Sequence, residues 1–170
     1  MSERAQTLAA QFERSSHAVI AFTERCSVND WRLITEDERW PVGVVCRHIA
    51  RGFEVHAELI RRAATGQPMP TDYTWDTVHK SNAQQAREWT DCTDEETLVL
   101  LRRHSDTAAD VVRQLSDAQL DHTVFFPLAG DKPVSIQQIV EAMIDHPRID
   151  LTSLRATFGG QSVGRQEGTK

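Results

Sequence analysis

His146 and Asp150 stand four residues apart. On a continuous helix that spacing puts both side chains on one face, about 6 Å apart along the axis. An imidazole and a carboxylate placed this way suit a borderline or hard divalent cation. A third ligand from another helix would complete a facial site with positions left open for water or substrate. His48 is the best third donor, because it falls between Val44, Val45 and Gly52 on the apolar stripe of its own segment, and the missing side chain at Gly52 leaves room one turn further on. A metal held by three such side chains can polarise a substrate oxygen or lower the pKa of bound water or thiol. Plainer readings of the same residues stay open. An inward histidine is commonly hydrogen-bonded in a core or cleft, and a His and Asp at this spacing can form a simple local helix contact.

Other reactive side chains fit less well. His56 lies two turns beyond His48 on a similar face and could line the same pocket. Trp40 could cap a pocket beside the metal or seal the end of a core. Cys46 is two residues from His48, so on a helix it points roughly 200° away and reads as packing. His17, His79, His104 and His122 have no matched ligand pattern, and surface or interhelical roles account for them. Glu141 lies off to one side of His146, within reach at most of a water-mediated contact. Cys26, Cys46 and Cys92 form no C-x-x-C pair, which excludes a zinc knuckle or redox motif and implies reduced thiols.

These residues need long helices to position them. Ala5, Leu8, Phe12, Ser16, Val19, Phe22 and Cys26 recur every three or four positions and predict a first helix from about Glu3 to Cys26. After the polar stretch SVNDWRLITEDERWP, Pro41 suits the first residue of a second helix, which Gly66 stops. GQPMPTDY reads as a crossing loop, followed by a shorter helix opening at Asp76 or Thr77 and running through Trp89. Thr93 with Glu96 makes a capping-box pattern for a third core helix ending near Ser116. Residues 117–134 mix β-branched and aromatic residues with turn formers, as an extended loop or short hairpin would. Ser135 reads as the N-cap of the last long helix, with Pro147 kinking it beside His146 and Gly159 and Gly160 closing it.

Together these segments predict one all-α domain over residues 1–160, a four-helix bundle with a long crossover connection and one short additional helix, and a polar tail over 161–170. The formal charge of -6 argues against a sequence-independent grip on nucleic acid, which needs clustered Lys and Arg. No apolar run approaches the roughly 20 residues that span a bilayer, and the opening MSERAQTLAAQFERSS is polar and amphipathic, so the expected address is the cytoplasm with no membrane partner.

Two stretches carry a resemblance: W-P-V-G-V-V-C-R-H from Trp40 to His48, and H-P-R-I-D-L-T-S-L-R-A from His146 to Ala156. Over roughly residues 3 to 158 the chain resembles the DinB-like family, whose broader relatives include metal-dependent thiol transferases and mycothiol-dependent maleylpyruvate isomerases. The resemblance implies a DinB-like bundle and a divalent metal held by His48, His146 and Asp150. Zinc or nickel would come first, with iron or manganese as alternatives. Members usually carry an H-x-x-x-H pair on the last helix, so Asp150 is a departure, and Pro147 is a second. The implied activity is transfer or activation of a low-molecular-weight thiol toward a small-molecule substrate, in a homodimer. A metal-dependent hydrolase and a non-catalytic dimeric scaffold or ligand-binding protein with a degenerate site are the alternatives, since fold and family do not settle function.

Overall fold

The Ser2 hydroxyl accepts a hydrogen bond from the Ala5 N–H (3.0 Å) and so starts helix α1, Glu3–Arg25. The computed structural model describes residues 2–130 and 132–164, with side chains as far as residue 158. The stripe that predicted α1 is the face it buries, from Ala5 through Leu8, Phe12 and Val19 to Phe22. The polar stretch that follows forms a short helix α2, Val28–Trp31, held by a reciprocal Ser27/Asp30 capping box. The loop after α2 folds back on itself, with the Thr35 N–H donating to the Trp40 carbonyl (2.9 Å) and the Val42 N–H to the Leu33 carbonyl (2.8 Å). Pro41, the expected first residue of this helix, is therefore extended and sits at the N-cap of α3, Val42–Ala64, one position ahead of the observed first residue. Gly66 ends α3 as expected. Its φ of +70° lets its N–H reach the Ala63 carbonyl (3.2 Å) and the Gln67 N–H reach the Arg62 carbonyl (2.9 Å), the paired bonds of a Schellman stop.

Capping chemistry corrects several expected boundaries. Helix α4, Trp75–Glu88, begins before Asp76 because Thr74 and Thr77 cap each other reciprocally. Thr93 caps α5, Asp94–Arg113, by accepting from the Glu96 N–H (3.2 Å), while the Glu96 carboxylate turns to Arg47 (3.8 Å). Helix α5 stops short of Ser116 because Ser116 caps a further short helix, α6, Asp117–Asp121. Next comes the hairpin, β1 (Thr123–Phe125) and β2 (Pro133–Ser135), antiparallel with Val124 opposite Val134, with a 3₁₀ turn at Pro127–Ala129 between them. Ser135 ends β2 and also caps the last helix, accepting from the Gln138 N–H (3.2 Å) while its own N–H donates to Gln138 Oε1 (2.8 Å).

That last helix, α7, spans Ile136–Gly164. It is continuous through Pro147 and past Gly159 and Gly160, where the sequence had suggested an end. Glycine lowers helix stability by only about 1 kcal/mol, and it stops a helix when it adopts the left-handed conformation, as Gly66 does. Residues 165–170 of the expected polar tail lie outside the described residues.

The fold is all-α in its layers. Helix α1 packs against α5 and α7, and α3 packs against the same two helices. Phe12 of α1 and Phe53 of α3 meet edge to face at the centre, 5.0 Å between ring centroids, and both are fully buried. Burying each such side chain contributes about 1.5–3 kcal/mol. Polar ties join the same helices: the Ser105 hydroxyl donates to that of Ser16 (2.6 Å), and His104 Nδ1 lies 2.9 Å from the Ala50 carbonyl, the interhelical role allowed for His104. Among the described residues no helix is long and apolar enough to cross a membrane.

Candidate metal centre

Helix α3 presents His48, Gly52 and His56 at four-residue spacing, and α7 presents His146 and Asp150 at the same spacing. Since α3 packs on α7, the two rows face each other. The ligand atoms offered by His48, His146 and Asp150 all lie within 4.8 Å of one another, and these three form a group that could hold a metal ion. His146 Nε2 is 3.3 Å from Asp150 Oδ2. The contact is not aligned as a hydrogen bond, so Oδ2 is left buried without a partner, as are His48 Nδ1 and His146 Nδ1. Buried polar groups are normally satisfied, and one orphan on each of three neighbouring side chains fits a ligand set better than a core network.

Electrostatics point the same way. Burial holds His146 far below the usual imidazole range, at about 3, with His48 and His56 adding to the effect. Burial likewise lowers His48, against the opposing pull of Glu38. Asp150 is pushed up to about 7 by burial and by the nearby Glu38 carboxylate. Both imidazoles are therefore neutral with lone pairs available, and the carboxylate lacks a counter-charge that a divalent cation would supply.

The surrounding residues fall into place around this centre. Gly52 is the contact point, since a Cβ there would stand 2.6 Å from His146 Cε1. His56 has its ring 5.8 Å from that of His146 and its Nδ1 2.8 Å from the Gly52 carbonyl, which fixes the hydrogen on Nδ1 and leaves Nε2 as an acceptor. Trp40 stands edge-on to His48 at 5.7 Å and packs against the core, the sealing role suggested for it; it does not line the cavity that opens on His48 and His146. Cys46 is fully buried and is not one of the three side chains whose ligand atoms gather, its thiol pushed up to about 12 by burial. Glu141 is exposed and accepts a hydrogen bond from Gln137 (2.8 Å). His17, His79 and His122 are exposed.

Sequence reasoning missed two features. Glu38 arrives from the loop before α3, accepts a hydrogen bond from Ser153 (3.1 Å) and biases both Asp150 and His48. Nothing in its local sequence marks it. The second is a cavity of about 760 Å³ that opens on His48, Gly52, His56 and His146 and is walled by α4 and the hairpin. Trp75 ties those walls together by donating from Nε1 to the Leu128 carbonyl (3.0 Å).

A family model described as the DinB superfamily matches residues 11–150. The chain belongs to the DinB superfamily. No curated protein matches it in sequence. Among solved structures, this DinB chain is similar to a mycothiol-dependent maleylpyruvate isomerase, with a TM-score of 0.72 at 12% identity. It is equally similar to a histidine-to-alanine mutant of a mycothiol-dependent maleylpyruvate isomerase, with a TM-score of 0.72 at 11% identity. Each match covers 88% of this chain and 60% of the other, so the DinB chain spans well under the full length of those enzymes. At such identities the likeness is one of fold.

Proposed function

We propose that this DinB-superfamily chain binds one divalent metal ion through His48, His146 and Asp150 and serves as a metal-dependent enzyme that activates a low-molecular-weight thiol for transfer. The observation that carries the reading is the meeting of ligand atoms from three side chains on two helices, each side chain also holding a buried polar atom without a partner, with His48 and His146 lining a small-molecule-sized cavity. The similarity to mycothiol-dependent isomerases is what selects a thiol.

When bound, the ion would lower the pKa of a thiol or polarise a substrate oxygen. The chain's own residues do the rest. His48 and His146, kept neutral by burial, offer lone pairs, and Asp150, whose charged form burial disfavours, would give up its proton and bring negative charge when a cation is bound. His56, anchored on the Gly52 carbonyl, presents its other nitrogen as a hydrogen-bond acceptor beside the ligands. Two imidazoles and one carboxylate can hold zinc or ferrous iron alike; with the family resemblance we place zinc or nickel first, and iron or manganese next. A cytoplasmic homodimer completes the proposal, and light scattering in solution tests the dimer.

Elemental analysis of protein purified without a metal-affinity tag, beside His48→Ala, tests the centre. Near-stoichiometric metal that is lost in a folded His48→Ala supports the reading. Equal metal in both proteins sinks the ligand set. No metal in either, even after divalent ions are added, moves the non-catalytic scaffold to first place, a reading that the Asp150 departure favours. If metal binds and thiol transfer is absent, hydrolysis through bound water is the next activity to assay.

A further inference from the structure

The cavity that opens on His48 and His146 is walled mainly by apolar side chains. Tyr73 and Phe126 stack at 6.1 Å with their planes 24° apart, and Leu128, Val134 and Ile139 continue the surface. Burial pushes the Tyr73 phenol up, so it stays neutral. Two further lining residues, Trp75 and Ile149, are large hydrophobics left 57% and 68% exposed, a costly arrangement in water unless an apolar body covers them.

Charge around the cavity is sparse and unfavourable to anions. Arg51 is the one Lys or Arg in the lining among the described residues, and it is committed to an ion pair with Glu54. Of the two carboxylates in the lining, Asp145 is paired with Arg148 (3.2 Å), while Asp72 has no basic partner among the described residues. An anionic ligand would meet one guanidinium already shared with Glu54 and one uncompensated carboxylate, Asp72, and burying its charge without a full counter-charge is expensive.

We infer that the cavity receives an uncharged, largely apolar small molecule, with its polar end toward His48 and His146, and discriminates against carboxylate-bearing ligands. The inference deepens the proposed function by naming the class of molecule that site takes, and rests on it only for the orientation of the polar end. The cavity lies in the size range of drug-sized ligands.

Calorimetric titration of the full chain with two probes of equal shape, naphthalen-2-ylmethanol and naphthalene-2-carboxylate, decides it. Each is run in chelator and again with added zinc. In chelator the alcohol should bind at least about tenfold more tightly than the carboxylate. Ala142→Trp, at an exposed position of α7 that lines the cavity, should abolish that binding. Equal or tighter binding of the carboxylate in chelator, or no binding of either probe, overturns the inference. Alcohol binding that survives Ala142→Trp overturns its location. The chelator arm does not depend on metal, so a preference for the alcohol in protein that binds no zinc leaves the cavity assignment standing and removes the metal reading alone.

Discussion

The imidazole of His146 occupies the space that a side chain at Gly52 would fill. A Cβ on Gly52 would lie 2.6 Å from its Cε1 and 2.8 Å from its Nδ1. The gap in α3 is thus what lets α7 bring its histidine to His48. In Gly52→Ala the helix gains up to about 1 kcal/mol from propensity, while overpacking costs about 1–3 kcal/mol. The ring can turn away to relieve the contact, so thermal stability should move little and metal affinity should fall at least about tenfold. Unchanged affinity in the variant would show that His146 is not held in place by this contact.

The pH response of the metal-free protein carries opposed contributions from this centre, Asp150 on one side and His146, with His48 and His56 lowered in the same direction, on the other. Asp150 keeps its proton up to about 7 in the folded chain and only to 3.8 unfolded, so its share of stability falls as pH rises between those values. His146 stays neutral down to about 3 when folded and is charged below 6.5 when unfolded, so its share rises with pH across that span. Between 3.8 and 6.5 the two offset. Asp150→Asn removes the falling contribution, and its stability should climb relative to the parent by up to about 1.4 kcal/mol per pH unit. Urea unfolding of both proteins in chelator reads the difference, and parallel profiles would refute it.

Restoring the more usual ligand at the same position tests selectivity. Asp150→His replaces a hard oxygen donor by a third imidazole and removes one negative charge from the site. Competition titrations should show manganese weakened relative to zinc and nickel. An unaltered order of preference would place Asp150 outside the coordination sphere.

Metal should also stabilise the fold, because the proposed ligands come from α3 and α7 and are not assembled in the unfolded chain. At about 100 times the dissociation constant the gain is about 2.7 kcal/mol, read as a rise in melting temperature that chelator reverses. His48→Ala should show no such rise. A metal-induced shift of equal size in that variant would assign the stabilisation to another site.

Much of this protein follows from local order in the chain. The apolar periods of α1, α3, α5 and α7, the caps at Thr93 and Ser135 and the stop at Gly66 depend on near neighbours, and they are readable without a structure. The His146/Asp150 spacing and the gap at Gly52 are equally local, so the candidate ligands could be named from the sequence. Helix periodicity tells which face is buried, though not against which neighbour. That α3 meets α7, with the ligand atoms of His48, His146 and Asp150 within 4.8 Å, is set by packing of helices far apart in the chain. The same holds for Glu38, carried to Ser153 by an irregular loop, and for the cavity closed by α4 and the hairpin through Trp75 and Leu128. The burial that moves His146 and Asp150 in opposite directions is likewise tertiary, because desolvation depends on everything packed around a group and leaves no mark in the residues beside it.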